Sequence, residues 1–305
     1  MTDLATRQPV GAAGAAPHAP TDNRELAPAG GAAGIRALLR HRYLLRLLVR
    51  KELQLRYSRS SLGYAWSYVR PSVQLAVYIF IVGMLFDRAR VENFPVYIFS
   101  GHVLVHFYSE TVNSATRSII RNKSLVKKVY LPREMFPVAS LLVSAAHMVP
   151  PLVLLFVVTT IVGWVPSVLG VLAGLLGFAV VALVAIAAGL LFSALNVFYR
   201  DVQNIVEIMA IFNHWIAPMI YPWTLIAERL NSQGLNWLLQ IYLWNPICVG
   251  VELFHQAFWL PTVDDFELSP NLWLRGITWL GVGCVLVYLA QRVFVRLQHR
   301  FAEEL

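Results

Sequence analysis

The sequence predicts an all-α integral membrane protein with six transmembrane helices per subunit, and three observations carry that expectation. Of the 305 residues, 57% are hydrophobic and 14% charged, against roughly 25% charged in an ordinary soluble domain. The apolar residues gather in runs bounded by charge or proline, several approaching the ~20 residues that a helix needs to cross a hydrocarbon core. The net charge of +8 clusters beside these runs and forms no separate patch for nucleic acid, which is where basic residues meet anionic lipid.

Residues 1–34 are rich in Ala, Pro and Gly and hold no apolar run. That composition predicts a disordered cytosolic tail and no cleavable signal, leaving residues 35–305 as the membrane domain. Val49 to Gln74, reading VRKELQLRYSRSSLGYAWSYVRPSVQ, then joins a cationic, aromatic segment to an apolar span without a break. Arg50, Lys51, Arg56 and Arg59 suit phosphate-bearing head groups, while Tyr57, Tyr64, Trp66 and Tyr68 carry rings that settle at a membrane interface. Pro71 is expected to open the first crossing.

The spans are expected at Ser72 to Phe86, Phe94 to Ser114, Met135 to Val162, Leu169 to Val197, Ile205 to Ile220 and Leu272 to Val295. The first is short and is lengthened if a tilted helix begins in the interfacial segment before it. The fifth is also short and is expected to end at Pro218 and Pro222. Between the fifth and sixth, Trp223, Trp237, Trp244 and Trp259 surround Asn245-Pro246, a pattern that predicts two short helices lying in or dipping into the outer interface. With both termini cytosolic, 21 Lys and Arg fall on the inner side and four on the outer, so the positive-inside rule sets an N-in, C-in topology.

Candidate functional residues lie in three places. The segment Arg117 to Arg133 sets Ile119, Ile120, Leu125, Val126, Val129 and Leu131 among six cations. It reads either as a basic loop on anionic lipid or as a short amphipathic helix that docks a cytosolic partner. In the second span, His102, His106, Ser109 and Asn113 share one stripe with Glu110 beside it. Such a stripe faces protein or water, as interhelical hydrogen bonds or as a conduit wall. The fifth span adds Asn204, Glu207 and His214, followed by Trp215, Tyr221 and Trp223. Polar groups interleaved with aromatic rings suit sugars, whose hydroxyls hydrogen-bond and whose ring faces stack. Tyr78, Phe107 and Tyr108 complete the candidate channel lining.

Other chemistries find less support. No G-x-x-x-x-G-K-[ST] phosphate loop occurs, so ATP-driven work needs another subunit. Glu110 and Glu207 are the clear acidic candidates within spans, both expected toward cytosolic ends. Such scarcity argues against an ion-coupled carrier. Cys248 and Cys284 lack partners at metal-ligand spacing, so neither a metal nor a disulfide is expected. A membrane glycosyltransferase needs acidic groups near a surface; the outer pair Asp264 and Asp265 is the candidate, and a solvated loop beside Pro261 and Pro270 explains it as well.

LRYSRSSLGYAWSYVRP before the first span, YLPRE before the third and FYRD at Phe198 to Asp201 after the fourth occur in order along the chain. With the six-span pattern they resemble the ABC-2 type permeases that export polysaccharides, the membrane subunits of O-antigen, teichoic acid and mycobacterial galactan exporters. The resemblance runs from about residue 40 to the C-terminus. It implies a homodimer in a bacterial cytoplasmic membrane, joined by two copies of a separate ABC ATPase that holds the ATP and Mg, with no cofactor in this chain. It further implies a gate helix around Leu55 to Tyr68, where Arg56, Tyr57, Arg59, Tyr64 and Trp66 meet the lipid head group. A coupling helix is implied at about Arg117 to Tyr130, with Arg117, Arg121, Lys123, Lys127, Lys128 and Tyr130 toward the ATPase. Short outer gate helices are implied near Leu225 to Gln240 and Ile247 to Phe258. The substrate implied is a polyprenyl-pyrophosphate-linked glycan, a cell-wall galactan or an O-antigen-like chain; the nearest alternative is a lipid or drug exporter of the same architecture. Arg296 to Leu305 leave no room for a carbohydrate-binding domain after the last span, so selection of capped chain ends by this subunit is not expected.

Overall fold

In hydrocarbon a backbone must satisfy its own hydrogen bonds, and every regular element among the described residues is helical. The computed structural model describes residues 41–57, 63–82, 91–128, 131–264 and 266–305. The expected tail over residues 1–34 lies outside them, as do Arg59 and Tyr130. The described residues belong to one compact unit, Ala32–Leu305.

Helix α1 spans Arg42–Tyr57, and α2, Trp66–Val77, continues into a wider π turn at Tyr78–Val82. Then come α3 (Phe94–Arg121), α4 (Lys123–Lys128), α5 (Met135–Ile161), α6 (Val168–Phe198) and α7 (Val202–Ile216). Three short helices follow, α8 (Trp223–Ser232), α9 (Asn236–Leu243) and α10 (Pro246–Phe254), the last prolonged by turns at His255–Trp259 and Leu260–Thr262. Helix α11 (Leu272–Leu297) and a closing turn, α12 (Phe301–Glu304), end the chain.

Among the described residues, α5, α6 and α11 are long and apolar enough to cross a membrane. A fourth such unit is the pair of α9 and Pro246–Thr262, bent by 67° as a broken span or re-entrant loop. Helix α3 has 28 residues, but its His, Ser, Glu and Asn positions interrupt its apolar character.

Several boundaries differ from the sequence expectation. Pro71 lies inside α2 and does not open it, because the helix already begins at Trp66. The second span runs on to Arg121, since Asn122 and not Ser114 stops it: the Asn122 amide returns to the Ser118 carbonyl at 3.0 Å. The fifth helix ends at Ile216, ahead of Pro218. The segment between α7 and α11 holds three helices in place of two, and α10 is buried over residues 247–254 as part of a bent pair that is a broken span or a re-entrant loop. Its start is local chemistry: Asn245 accepts from the Ile247 and Cys248 amides while Pro246 takes the first helical position. Trp259, expected as an interface anchor, is 1% exposed and donates to the Glu92 carbonyl at 2.8 Å.

The centre of the bundle is α6, against which α3, α10 and α11 make the most extensive packing. Its small residues let backbones approach. A Cβ on Gly177 would lie 2.9 Å from the Gly250 carbonyl oxygen, and one on Gly189 2.7 Å from the Ala115 side chain. In lipid, where no hydrophobic force drives helices together, such close contact is what holds them. Gly177→Ala is therefore expected to cost about 1–3 kcal/mol, as overpacking does, and to lower the thermal midpoint in detergent. An unchanged midpoint would mean that α6 and α10 separate easily.

At the opposite end of α6, Phe136, Phe294 and Phe301 pack in a second cluster. Arg133 stands over the Phe301 ring and donates to the Gln298 carbonyl. Next to it the Glu134 side chain is 1% exposed. Burial pushes its pKa up to about 7, and the nearby Gln291 amide opposes the shift without closing a hydrogen bond of normal geometry. Between its ordinary 4.5 and about 7 the folded chain holds a proton that the unfolded chain has lost. Stability accordingly falls as pH rises through that window. Melting curves between pH 5 and 8 should show this decline, and Glu134→Gln should flatten it; an equally steep profile in the variant would assign the slope to other groups.

Candidate functional site

Helix α3 places the polar stripe, and its neighbours decide what each member does. His102 is 8% exposed and faces α2 and α7: the Tyr78 hydroxyl lies 3.4 Å from its Nδ1, and its ring meets those of His106 at 5.8 Å and His214 at 5.9 Å. The Gln74 amide donates to the Tyr78 hydroxyl at 3.0 Å, extending the set along α2. Tyr78, His102, His106 and His214, from three helices, are thus brought together. His106 itself is exposed.

Glu110 takes a direction of its own. Because α3 extends to Arg121, Glu110 sits near the middle of the helix and not at its end. It meets His147 of α5 at 2.7 Å and His106 at 3.9 Å. The Glu110 and His147 side chains are only 10% and 8% exposed. Between α2, α3 and α5 lies a cavity of about 360 Å³, lined among others by Trp66, Gln74, His106, Glu110, Ser144 and His147.

The remaining candidates separate. Phe107 is 1% exposed and packs on Phe178 of α6 at 5.1 Å. Tyr108 is also buried. Asn113 donates to the Ser109 carbonyl at 2.8 Å and accepts from Gln203 of α7 at 3.3 Å. Glu207 pairs with Arg117, joining the same two helices. Trp215 is 62% exposed, while the Tyr221 hydroxyl donates to the Trp215 and Ile216 carbonyls and the Trp223 indole to that of Glu267.

The basic segment divides in two. Arg117 and Arg121 belong to the last turns of α3, so the expected helix over Arg117 to Tyr130 is shortened to α4. Lys123, Lys127 and Lys128 are exposed on α4 while Val126 is 7% exposed and packs into the second cluster. Arg56 and Tyr57 end α1, Tyr64 lies in the turn Gly63–Ala65, and Trp66 opens α2 with the Arg70 guanidinium 5.9 Å from its ring.

Glu52 and Glu252 escaped the sequence reading, while Lys51, expected at phosphate-bearing head groups, stands in a contact between helices. Lys51 and Glu52 of α1 clasp the α3–α4 corner: the Lys51 ammonium donates to Asn122 at 2.8 Å and Glu52 pairs with Arg121 at 2.9 Å. Glu252 lies 3% exposed in α10, near the 4% exposed Arg275 of α11, with neither carboxylate oxygen in a hydrogen bond among the described residues. A lone acid inside the apolar run ICVGVELF was the available signal for Glu252. Glu252 lies outside the six expected spans, whose acids are Glu110 and Glu207.

The pattern that defines ABC-2 type transporters matches residues 43–259. The chain belongs to that family. Members similar to it include the O-antigen export system permease protein RfbA of Myxococcus xanthus, 27% identical over 89% of this chain and 98% of the relative. The O-antigen export system permease protein RfbA of Klebsiella pneumoniae is 24% identical over 85% and 94%. The polysialic acid transport protein KpsM of Escherichia coli is 23% identical over 68% and 78%. The family match spans α1 through α10, and thus the clasp between α1 and the α3–α4 corner.

Replacing Lys51 and Glu52 together by Ala should loosen that clasp. Backbone amides of Arg42–Tyr57 are expected to exchange several-fold faster with deuterium while those of α6 stay protected. Unchanged exchange in α1 would mean that apolar packing alone holds it.

Proposed function

We propose that this chain is the membrane-spanning subunit of an ATP-driven exporter that moves a polyprenyl-pyrophosphate-linked polysaccharide from the cytosol to the outer face of a bacterial cytoplasmic membrane. The observation that carries the reading is α3: a family member whose relatives are named for O-antigen and polysialic acid transport turns His102 and Glu110 toward α2, α5 and α7. Six spans are assigned to α2, α3, α5, α6, α7 and α11, with both termini cytosolic and α8 to α10 on the outer side. The charge asymmetry of the sequence supports that orientation.

The subunit works as a homodimer with two copies of a separate ABC ATPase. Ile208, Ile211, Phe212 and Trp215 leave one flank of α7 exposed, and the channel is assigned to the junction of two such flanks with the first and second spans. Helix α4 is the coupling helix, its three exposed lysines turned to the ATPase. The end of α1 with Arg56 and the start of α2 with Trp66 form the gate segment for a head group that wants cations, and Arg59 in the sequence between them adds a further charge. The isoprenoid tail stays in the bilayer, where each methylene contributes roughly 0.8 kcal/mol. A polymer longer than the membrane is thick needs a continuous channel with repeated strokes, and a cell-wall galactan or an O-antigen-like chain is the substrate class.

ATPase activity of the chain co-expressed and reconstituted with the neighbouring ABC subunit tests this reading. Polyprenyl-pyrophosphate-linked galactan is expected to stimulate it. A stable complex indifferent to that lipid would remove the galactan, and the absence of any complex would overturn the exporter. In the same assay Lys123→Ala, Lys127→Ala and Lys128→Ala combined should impair assembly; a normal pull-down would sink the coupling role of α4.

A further inference from the structure

We propose that the cavity between α2, α3 and α5 is a binding site for a single neutral sugar ring, a subsite inside each subunit and apart from the channel between two subunits. The proposal rests on the polysaccharide-export reading and adds to it a third-span wall that the sequence did not indicate.

The cavity measures about 360 Å³, at the lower end of the roughly 300–1,000 Å³ of small-molecule sites. Its floor is built and not accidental: the Glu110 carboxylate and His147 ring meet at 2.7 Å with both side chains about nine-tenths buried. Ser144, one turn before His147, is 1% exposed, and its hydroxyl has no hydrogen-bond partner among the described residues. A buried orphan hydroxyl is costly in low dielectric unless a ligand or water meets it. Gln74 supplies an amide from α2, and Trp66 lies in the lining at the start of the same helix.

This set selects among ligand classes. Carboxylate, imidazole, amide and hydroxyl together offer both donors and acceptors, which is what the hydroxyls of a sugar require. An indole face supplies the stacking surface. Arg70 also lines the cavity, its guanidinium 5.9 Å from the Trp66 ring, but the Glu110 carboxylate in the same lining opposes a doubly charged pyrophosphate, so a neutral ring fits better. A lipid tail fits poorly too. The contrast is a second cavity of about 340 Å³ between α5, α6 and the turn after α10, whose lining, including Leu152, Phe156, Trp164 and Phe258, carries almost no polar group.

Saturation-transfer NMR on the full chain in lipid nanodiscs tests the assignment, with millimolar methyl galactoside, methyl mannoside, methyl rhamnoside and inorganic pyrophosphate as probes. At least one glycoside is expected to show transfer that pyrophosphate does not displace. Ser144→Leu and Gln74→Leu, from opposite walls, should each weaken that transfer about fivefold or more, whereas Trp237→Ala, on the exposed face of α9, should not. Because Ser144→Leu adds bulk to a buried position, the Gln74 variant keeps the result readable if the first one unfolds. Equal transfer in both cavity variants would place sugar binding elsewhere and overturn the site while leaving the exporter intact. Displacement by pyrophosphate would make it an anion site. No glycoside transfer, alongside ATPase stimulation by the lipid-linked glycan, would likewise refute the cavity alone; no response in either assay would remove both readings.

Discussion

Close approach along α6 is the constraint on which the rest of the structure depends. Gly177, Gly189 and their partners remove the side chains that would otherwise hold helices apart, and in lipid that contact replaces the hydrophobic force of a soluble core. With α6 fixed against α3, α10 and α11 at once, the polar side of α3 is left to turn away from α6, toward α2, α5 and α7. Phe107 marks the boundary: its ring packs on Phe178, while His106, one residue earlier, is exposed.

The polar groups of α3 are consequently arranged by which helix faces them. Toward α7 they close structural contacts, Asn113 with Gln203 and Arg117 with Glu207. Toward α5 they form a hydrogen-bonded pair beside open space, Glu110 with His147. At its Arg121 end the same helix is gripped by Lys51 and Glu52. One rigid helix of 28 residues therefore connects the amphipathic α1, the α4 turn and the polar interior. Only Asn122 separates α4 from α3.

Much of this was legible in the sequence, for identifiable reasons. The runs of α5, α6 and α11 stood out because hydrocarbon tolerates little else. The stripe at His102, His106, Ser109 and Asn113 was visible from helical spacing alone. Its division was not, because whether a side chain meets α5 or α7 depends on packing, which spacing does not encode. The end of α3 was placed too early for a related reason: an apolar run stops where polar residues begin, whereas the helix continued until the Asn122 side chain competed for the Ser118 carbonyl. The segment between α7 and α11 misled in the opposite sense. Tryptophans usually mark an interface, yet Trp259 is buried because α10 folds back among α3, α6 and α11.

That fold-back explains why buried charge is found where it is. Gly250 sits within α10 at the contact with Gly177 and Val181, so the helix is drawn against α6 and its opposite residues are sealed by α11. Glu252 and Arg275 become buried as a consequence, with the His255 ring 3.8 Å from the Glu252 carboxylate. The Arg275 guanidinium also lies 5.9 Å from the Trp244 ring, at the bend between α9 and α10. The 67° bend is thus anchored on both sides: by the Asn245 cap within the chain and by α11 across the contact. A segment bound in this way packs against α6 and α11 together, while α8 packs chiefly on α9.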